Sequence, residues 1–200
     1  MGLTYSYDIY LRPQNVAGAL TALTELAPPD PDVPPLHVTL PGGDRIALPF
    51  TSQFGSDPVD CTTGDDLELD TSLLFGLDDA VRAYADRPGY APAADGRLEV
   101  GYIYATVRFT SAHHPGYASM EFWAATSAMS RLFERSATVR ETFTGLAAAA
   151  GGVCCLFDIG DGSPGEVCWL TGETLRAPIG GPRFPDVDTL VAAWPDPGAG

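Results

Sequence analysis

The sequence predicts an α+β fold with one largely antiparallel mixed sheet and helices packed mainly on one face. Segments of alternating apolar and polar residues, typical of half-buried strands, come in pairs joined by short turns. Segments with helical spacing lie between them without regular alternation, which argues against a doubly wound parallel sheet. The 200 residues, 45% of them hydrophobic, suffice for one core. We place a single domain at 1–177 and a Gly/Pro-rich C-terminal extension with a short helix at 178–200.

The first quarter of the chain predicts a strand, a helix and a hairpin. In LTYSYDIYLR, residues 3–12, apolar and polar side chains alternate as in a strand. Apolar residues at helical spacing predict a helix over 16–27, and the proline-rich stretch 28–35 ends it because proline fits neither helix nor sheet. The segment 36–50 predicts a hairpin that turns at 41–44.

Alternation of apolar and polar residues predicts the remaining strands, and helical spacing of apolar residues predicts the remaining helices. In chain order these are a strand at 67–75, a short helix near 77–84, long strands at 97–109 and 116–126, two helices within 127–150, a hairpin at 151–170 and a helical turn at 190–194. Thr138 and Glu141 have the spacing of a capping box, which predicts the start of the second of the two helices.

The chain is strongly acidic. Its 26 acidic residues face 11 basic ones, all Arg, which gives a net charge of -15. This balance disfavours binding to nucleic acids and to anionic membranes, because phosphate groups need cationic partners. The sequence contains no run of about 18 apolar residues, which is the length that a membrane span needs. No secretion signal is recognisable. We therefore expect a cytoplasmic protein that binds neither nucleic acid nor membrane.

Acidic residues cluster between positions 57 and 79, where Asp65, Asp66 and Glu68 lie close together. No basic residue occurs between Arg45 and Arg82. A solvated surface is one interpretation. The other is an acidic patch that attracts a basic protein partner. The spacing does not match a calcium-binding EF-hand loop.

The two long strands predict a candidate recognition face. When their apolar faces are matched, the opposite face carries Tyr102, Tyr104, Arg108, Tyr117, Glu121 and Trp123. The expected register pairs Tyr102 with Trp123, Tyr104 with Glu121, and Arg108 with Tyr117. Large aromatic residues mixed with one Arg and one Glu suit a protein interface or the floor of a ligand site. They also suit the underside of a packed helix.

The positions of the cysteines in the sequence predict that their side chains lie in the core and do not form a metal or redox site. Cys154 and Cys155 are neighbours on one arm of the predicted hairpin and must point to opposite faces, so they cannot bind one metal ion from a regular strand. Cys168 lies on the other arm, and there is no C-x-x-C motif. The G-x-G-x-x-G pattern at 160–165 leads into a strand instead of the helix that a dinucleotide site needs.

We therefore expect a cytoplasmic, non-catalytic binding protein without cofactor or metal. Its concrete form would be an acidic inhibitor or immunity-type protein for a basic partner such as a nuclease. The alternative is a small-molecule-binding domain or enzyme. Its cleft would be floored by Tyr102, Tyr104, Arg108 and Glu121, with His113 or His114 at the rim. A homodimer through the aromatic face is a third hypothesis.

Overall fold

A seven-stranded antiparallel sheet forms the centre of the structure, a computed structural model that describes residues 3–29, 33–86, 90–160 and 165–198. The strands are β1 (Ser6–Leu11), β2 (Leu36–Thr39), β3 (Arg45–Leu48), β4 (Val59–Asp60), β5 (Leu67–Phe75), β6 (Leu98–Arg108), β7 (Ala118–Ala124), β8 (Gly152–Asp158), β9 (Glu166–Leu170) and β10 (Glu173–Pro178). The helices are α1 (Val16–Thr24), α2 (Asp79–Ala85), α3 (Ser127–Arg135), α4 (Ala137–Ala149) and α5 (Val187–Ala192). The predicted α+β class is confirmed.

The large sheet has the strand order β10-β9-β8-β1-β7-β6-β5, and β1 is therefore its central strand. Strand β1 pairs antiparallel with β7 on one side and with β8 on the other, and all six of its residues are buried. A smaller sheet has the order β3-β2-β4, with β4 parallel to β2. Residues 161–164 of the hairpin predicted at 151–170 lie outside the described residues.

The first face of the large sheet is covered by α1 to α4, whose apolar side chains share one core with it. Tyr7 of β1 stacks on Phe143 of α4 with ring centroids 4.7 Å apart. Its hydroxyl donates a 3.0 Å hydrogen bond to the carbonyl oxygen of Phe133. Because this bond satisfies the one polar group of the ring, Tyr7 can be completely buried.

The N-cap of helix α4 lies two residues before the predicted one. Its N-cap is Ser136, whose hydroxyl accepts a hydrogen bond from the amide of Val139. The prediction from Thr138 is wrong because Thr138 lies in the first turn and donates its hydroxyl to the carbonyl of Gly76. Asp78 caps α2 and also accepts from Ser136 and Thr138, so it joins the two helix starts.

The second face is covered in part by the C-terminal segment. The predicted helical turn is present as α5, and Leu190 and Trp194 are buried. The Trp194 ring lies 4.9 Å from Tyr10 and 5.2 Å from Tyr117, centroid to centroid. The described part of the predicted extension thus packs on the sheet, whereas the domain boundary at 177 stays a prediction. No helix among the described residues is long and apolar enough to cross a membrane.

Replacing Trp194 with Ala should lower the free energy of unfolding by about 3–5 kcal/mol, the usual effect of deleting a buried Trp side chain. Equilibrium unfolding in urea measures this loss. Trp194→Phe keeps an aromatic ring on Tyr10 and is the matched control, with a clearly smaller loss. A loss below about 1 kcal/mol for the Ala variant would mean that the C-terminal segment adds little to the core.

Candidate functional site

The second face of the sheet is open toward β5 and β6. The apolar cluster under the C-terminal segment contains no residue of β5 or β6 among those the structure describes. Tyr104 of β6 is 39% exposed as a result. We call this region the open face, and the register between strands assigns to it Ser6, Asp8, Glu68, Asp70, Tyr104, Thr106, Arg108, Glu121 and Trp123.

The register of β6 and β7 differs from the expected one by two residues. Tyr104 opposes Trp123, and Arg108 opposes Ser119. A shift of two residues leaves every side chain on its predicted face, so the alternation of apolar residues could not reveal it. The connecting loop sets the register: the amide of Ser111 donates to the carbonyl of Tyr117 at 2.6 Å, which closes the loop.

Tyr117 and Tyr102 depart from the predicted recognition face in opposite ways. Tyr117 is fully buried, because Trp194 covers it and its hydroxyl donates to the carbonyl of Pro195. Tyr102 is 66% exposed and lies in a bulge of β6, with a φ of 60°. A positive φ is strained for a tyrosine. The structure therefore presents Tyr102 at the margin of the open face and removes Tyr117 from it.

Arg108 connects the acidic segment to the strands of the open face. Its Nε atom lies 3.2 Å from Oδ2 of Asp66, and its Nη1 atom donates to the carboxylate of Glu121. The hydrogen bond to Glu121 raises the pKa of Arg108, with a further contribution from Asp66. The structure thus brings together the acidic segment and the recognition face, which the sequence predicts as separate features. Of the other predicted acids, Glu68 opposes Thr106, whereas Asp65 bonds Thr63 in the turn before β5.

A tight turn that sequence reasoning missed borders the open face. Gln53 and Phe54 both have positive φ angles, and the amide of Phe54 donates a 2.6 Å hydrogen bond to Asp70. The Phe54 side chain is 68% exposed, and its ring meets Tyr104 edge-on at 6.4 Å. A depression of about 410 Å³ lies between Phe54, Tyr104 and Glu68. The only sequence signal was a large apolar residue between turn-forming neighbours.

An acidic depression continues from this turn along the loop before β5. It has a volume of about 620 Å³ and is lined by Asp57, Asp60, Asp66 and Glu68, together with backbone and small side chains. Glu68 borders both depressions. The aromatic part of the open face and the acidic segment therefore form one continuous surface.

Asp8 is a second residue that sequence reasoning missed. It lies on β1, opposite Glu121 of β7 and Leu156 of β8, and only 9% of its surface is exposed. Its Oδ1 atom and the hydroxyl of Ser6 are both buried, and the Ser6 hydroxyl is the polar group next to the carboxyl on the same face of β1. Burial raises the pKa of Asp8 to about 7, the Ser6 hydroxyl opposes this rise, and the negative charge of Glu121 adds to it. The side chain can therefore be neutral near neutral pH.

All four cysteine side chains are buried, and the sulfur of Cys168 accepts a 3.5 Å hydrogen bond from Arg140. Cys155 and Cys168 belong to the core of the first face, whereas Cys154 points into the cluster of the second face. None of them forms a disulfide. Burial raises the pKa of the Cys168 thiol to about 11, so it is protonated at neutral pH. Within the described ranges, no group of three or more His, Cys, Asp or Glu side chains could hold a metal ion.

Comparison of the chain with known proteins gives no family assignment. No family model, no curated protein sequence and no solved structure matches it significantly. Function must therefore be inferred from the open face, where exposed aromatic rings, paired and unpaired carboxylates and one Arg meet.

Replacing Asp8 with Asn should stabilise the protein more at pH 8 than at pH 5. The raised pKa means that the folded state prefers the neutral carboxyl, so the wild type loses stability as the pH rises toward about 7. Asn cannot ionise and avoids this loss. Its advantage should grow by roughly 2–3 kcal/mol over this interval, measured by urea unfolding at both pH values.

Asp44→Asn is the matched control because Asp44 is exposed on the turn between β2 and β3. Its effect on the free energy of unfolding should be small and the same at both pH values. An Asp8→Asn variant whose advantage does not change with pH would show that Asp8 is ionised in the folded protein at pH 5 as well.

Proposed function

We propose that the chain is a cytoplasmic, non-catalytic binding protein whose open face and adjoining acidic depression receive a basic protein partner. The observation that supports this most strongly is the clustering of exposed aromatic residues. Of four large hydrophobic side chains that are exposed in the described structure, three lie on or beside the open face, namely Phe54, Tyr102 and Tyr104. Exposed aromatic clusters are typical of interaction sites.

The charges around these rings favour a cationic partner. Among the described residues assigned to the open face, Arg108 is the one cation, and it is already bound by Asp66 and Glu121. In the described structure neither Glu68 nor Asp57 forms an ion pair within 4 Å. The surface therefore has an excess of carboxylates next to aromatic faces. Lysine and arginine side chains can interact with both kinds of group.

An inhibitor or immunity-type role is the concrete form of this proposal. Such a protein must find a basic toxin before the toxin reaches its target, and electrostatic attraction between opposite net charges speeds the encounter. The net charge of -15 and the acidic depression both favour rapid association. A homodimer through the same face is less favourable, because it would bring two carboxylate-rich surfaces together.

The small-molecule or enzymatic alternative is supported by the carboxyl pair. Asp8 opposes Glu121, and a carboxyl group with a pKa near 7 is a suitable general acid. The predicted place of His113 or His114 at the rim of the cleft gives this alternative less support. The His113 ring packs against Tyr10 and the His114 ring against Tyr117, both in the part of the face that the C-terminal segment covers. We therefore rank this alternative second.

Neutralising the acidic segment with Asp65→Asn, Asp66→Asn and Glu68→Gln together should slow association about tenfold at low ionic strength. The dependence of the association rate on salt should also become shallower, because fewer charges attract the partner. The partner is first captured from the native host's lysate and identified by mass spectrometry. Stopped-flow mixing of the purified proteins then gives the association rate.

The control is a second triple variant with the same change in net charge, Asp44→Asn, Asp86→Asn and Glu134→Gln. These three side chains are exposed and lie outside the open face. They should slow association much less. If both triple variants slow association equally, the net charge of the whole chain attracts the partner and the acidic segment is not its docking site.

A further inference from the structure

The depression beside β5 has two accessible aromatic side chains in its lining. Phe54 and Tyr104 both border its volume of about 410 Å³, and both side chains are exposed. Their ring planes stand at 85° to each other. Because the rings meet edge-on, their electron-rich faces are not stacked on each other. An accessible aromatic face of this kind attracts an organic cation.

Glu68 adds a negative charge to the same depression. It lies on β5 opposite Thr106, which shares a face of β6 with Tyr104. The Glu68 side chain is exposed, and within the described part of the chain it has no ion pair. The depression therefore combines accessible aromatic rings with a carboxylate whose charge is not neutralised, and this combination favours a cationic ligand.

The turn that carries Phe54 is held in a strained conformation. Gln53 and Phe54 have φ angles of 51° and 60°, which are unfavourable for residues other than glycine. Asp70 stabilises the turn, because its Oδ2 atom accepts hydrogen bonds from the amide of Phe54 and from the hydroxyl of Thr51. Strained backbone that its surroundings hold in place is concentrated at ligand sites. The exposed Phe54 ring is thus fixed at the depression before a ligand arrives.

These groups favour arginine over lysine as the ligand. A guanidinium group is planar, so it can stack on an aromatic ring while its edge donates hydrogen bonds to a carboxylate. An ammonium group is a compact and strongly hydrated charge, which gains less from an aromatic face. The open face already binds one guanidinium between carboxylates, since Arg108 contacts both Asp66 and Glu121.

We propose that the depression lined by Phe54, Tyr104 and Glu68 receives one arginine side chain of the basic partner. This inference rests on the proposed function and identifies the anchor of the docking surface. The guanidinium stacks on the aromatic rings, and its N–H groups donate to the carboxylate of Glu68. The acidic depression shares Glu68 and lies next to this anchor, where it attracts further basic residues of the partner.

Two basic peptides of equal charge test the preference for a guanidinium group. They are an eight-residue polyarginine and a polylysine of the same length, and isothermal titration calorimetry at low ionic strength gives both dissociation constants. The net charge of -15 attracts both peptides, so this general attraction largely cancels in the ratio of the two constants. The wild type should bind polyarginine about tenfold more tightly than polylysine.

Phe54→Leu and Tyr104→Leu leave the net charge unchanged, and each should weaken polyarginine binding about fivefold. Polylysine binding should change less, so the preference for arginine becomes smaller. Tyr102→Leu is the matched control, because Tyr102 is also exposed on β6 but is not among the described residues that line the depression. This variant should keep the preference of the wild type.

A phenylalanine with a fluorinated ring at position 54 keeps the apolar contact but makes the ring face less negative. It should also weaken polyarginine binding. If this variant and Phe54→Leu both bind polyarginine as the wild type does, the anchor is elsewhere, and the proposed function stands. Equal binding of the two peptides by the wild type would also overturn the anchor. If the wild type binds neither peptide even at low salt, both proposals are wrong.

Discussion

The packing of Tyr7 against Phe143 determines how the two faces of the sheet differ. This contact fixes the helices on one side of the central strand and buries that side completely. On the other side, Trp194 covers Tyr10, and the apolar cluster under the C-terminal segment contains no described residue of β5 or β6. The second face is therefore covered at Tyr10 but remains accessible at Tyr104 of β6.

Most of the fold could be predicted because it follows from local periodicity. Strands and helices with large apolar residues at regular spacing were identified, including both long strands of the open face. Strand β10 was missed, because its sequence ETLRAP has one large apolar residue and forms a charged edge strand. The register between β6 and β7 could not be deduced, since registers that differ by two residues bury the same side chains.

The candidate site could be predicted only in its separate parts. The acidic segment and the aromatic strands were recognised, but the Arg108–Asp66 contact that joins them depends on tertiary structure. Asp8 occupies one of the polar positions of an alternating strand. It is buried between strands that lie more than a hundred residues away along the chain. The cover over Tyr117 comes from Trp194 in the same way. Such long-range contacts leave no pattern in the local sequence.

A basic partner that docks on the open face must approach Trp123, whereas Trp169 and Trp194 are buried in the two cores. The three indole N–H signals can be followed by NMR while an eight-residue polyarginine peptide is added as a minimal basic partner. If the open face is the binding surface, the Trp123 signal shifts during the titration and the other two serve as internal references. An unchanged Trp123 signal at saturation, with shifts confined to Trp169 or Trp194, would contradict docking on the open face.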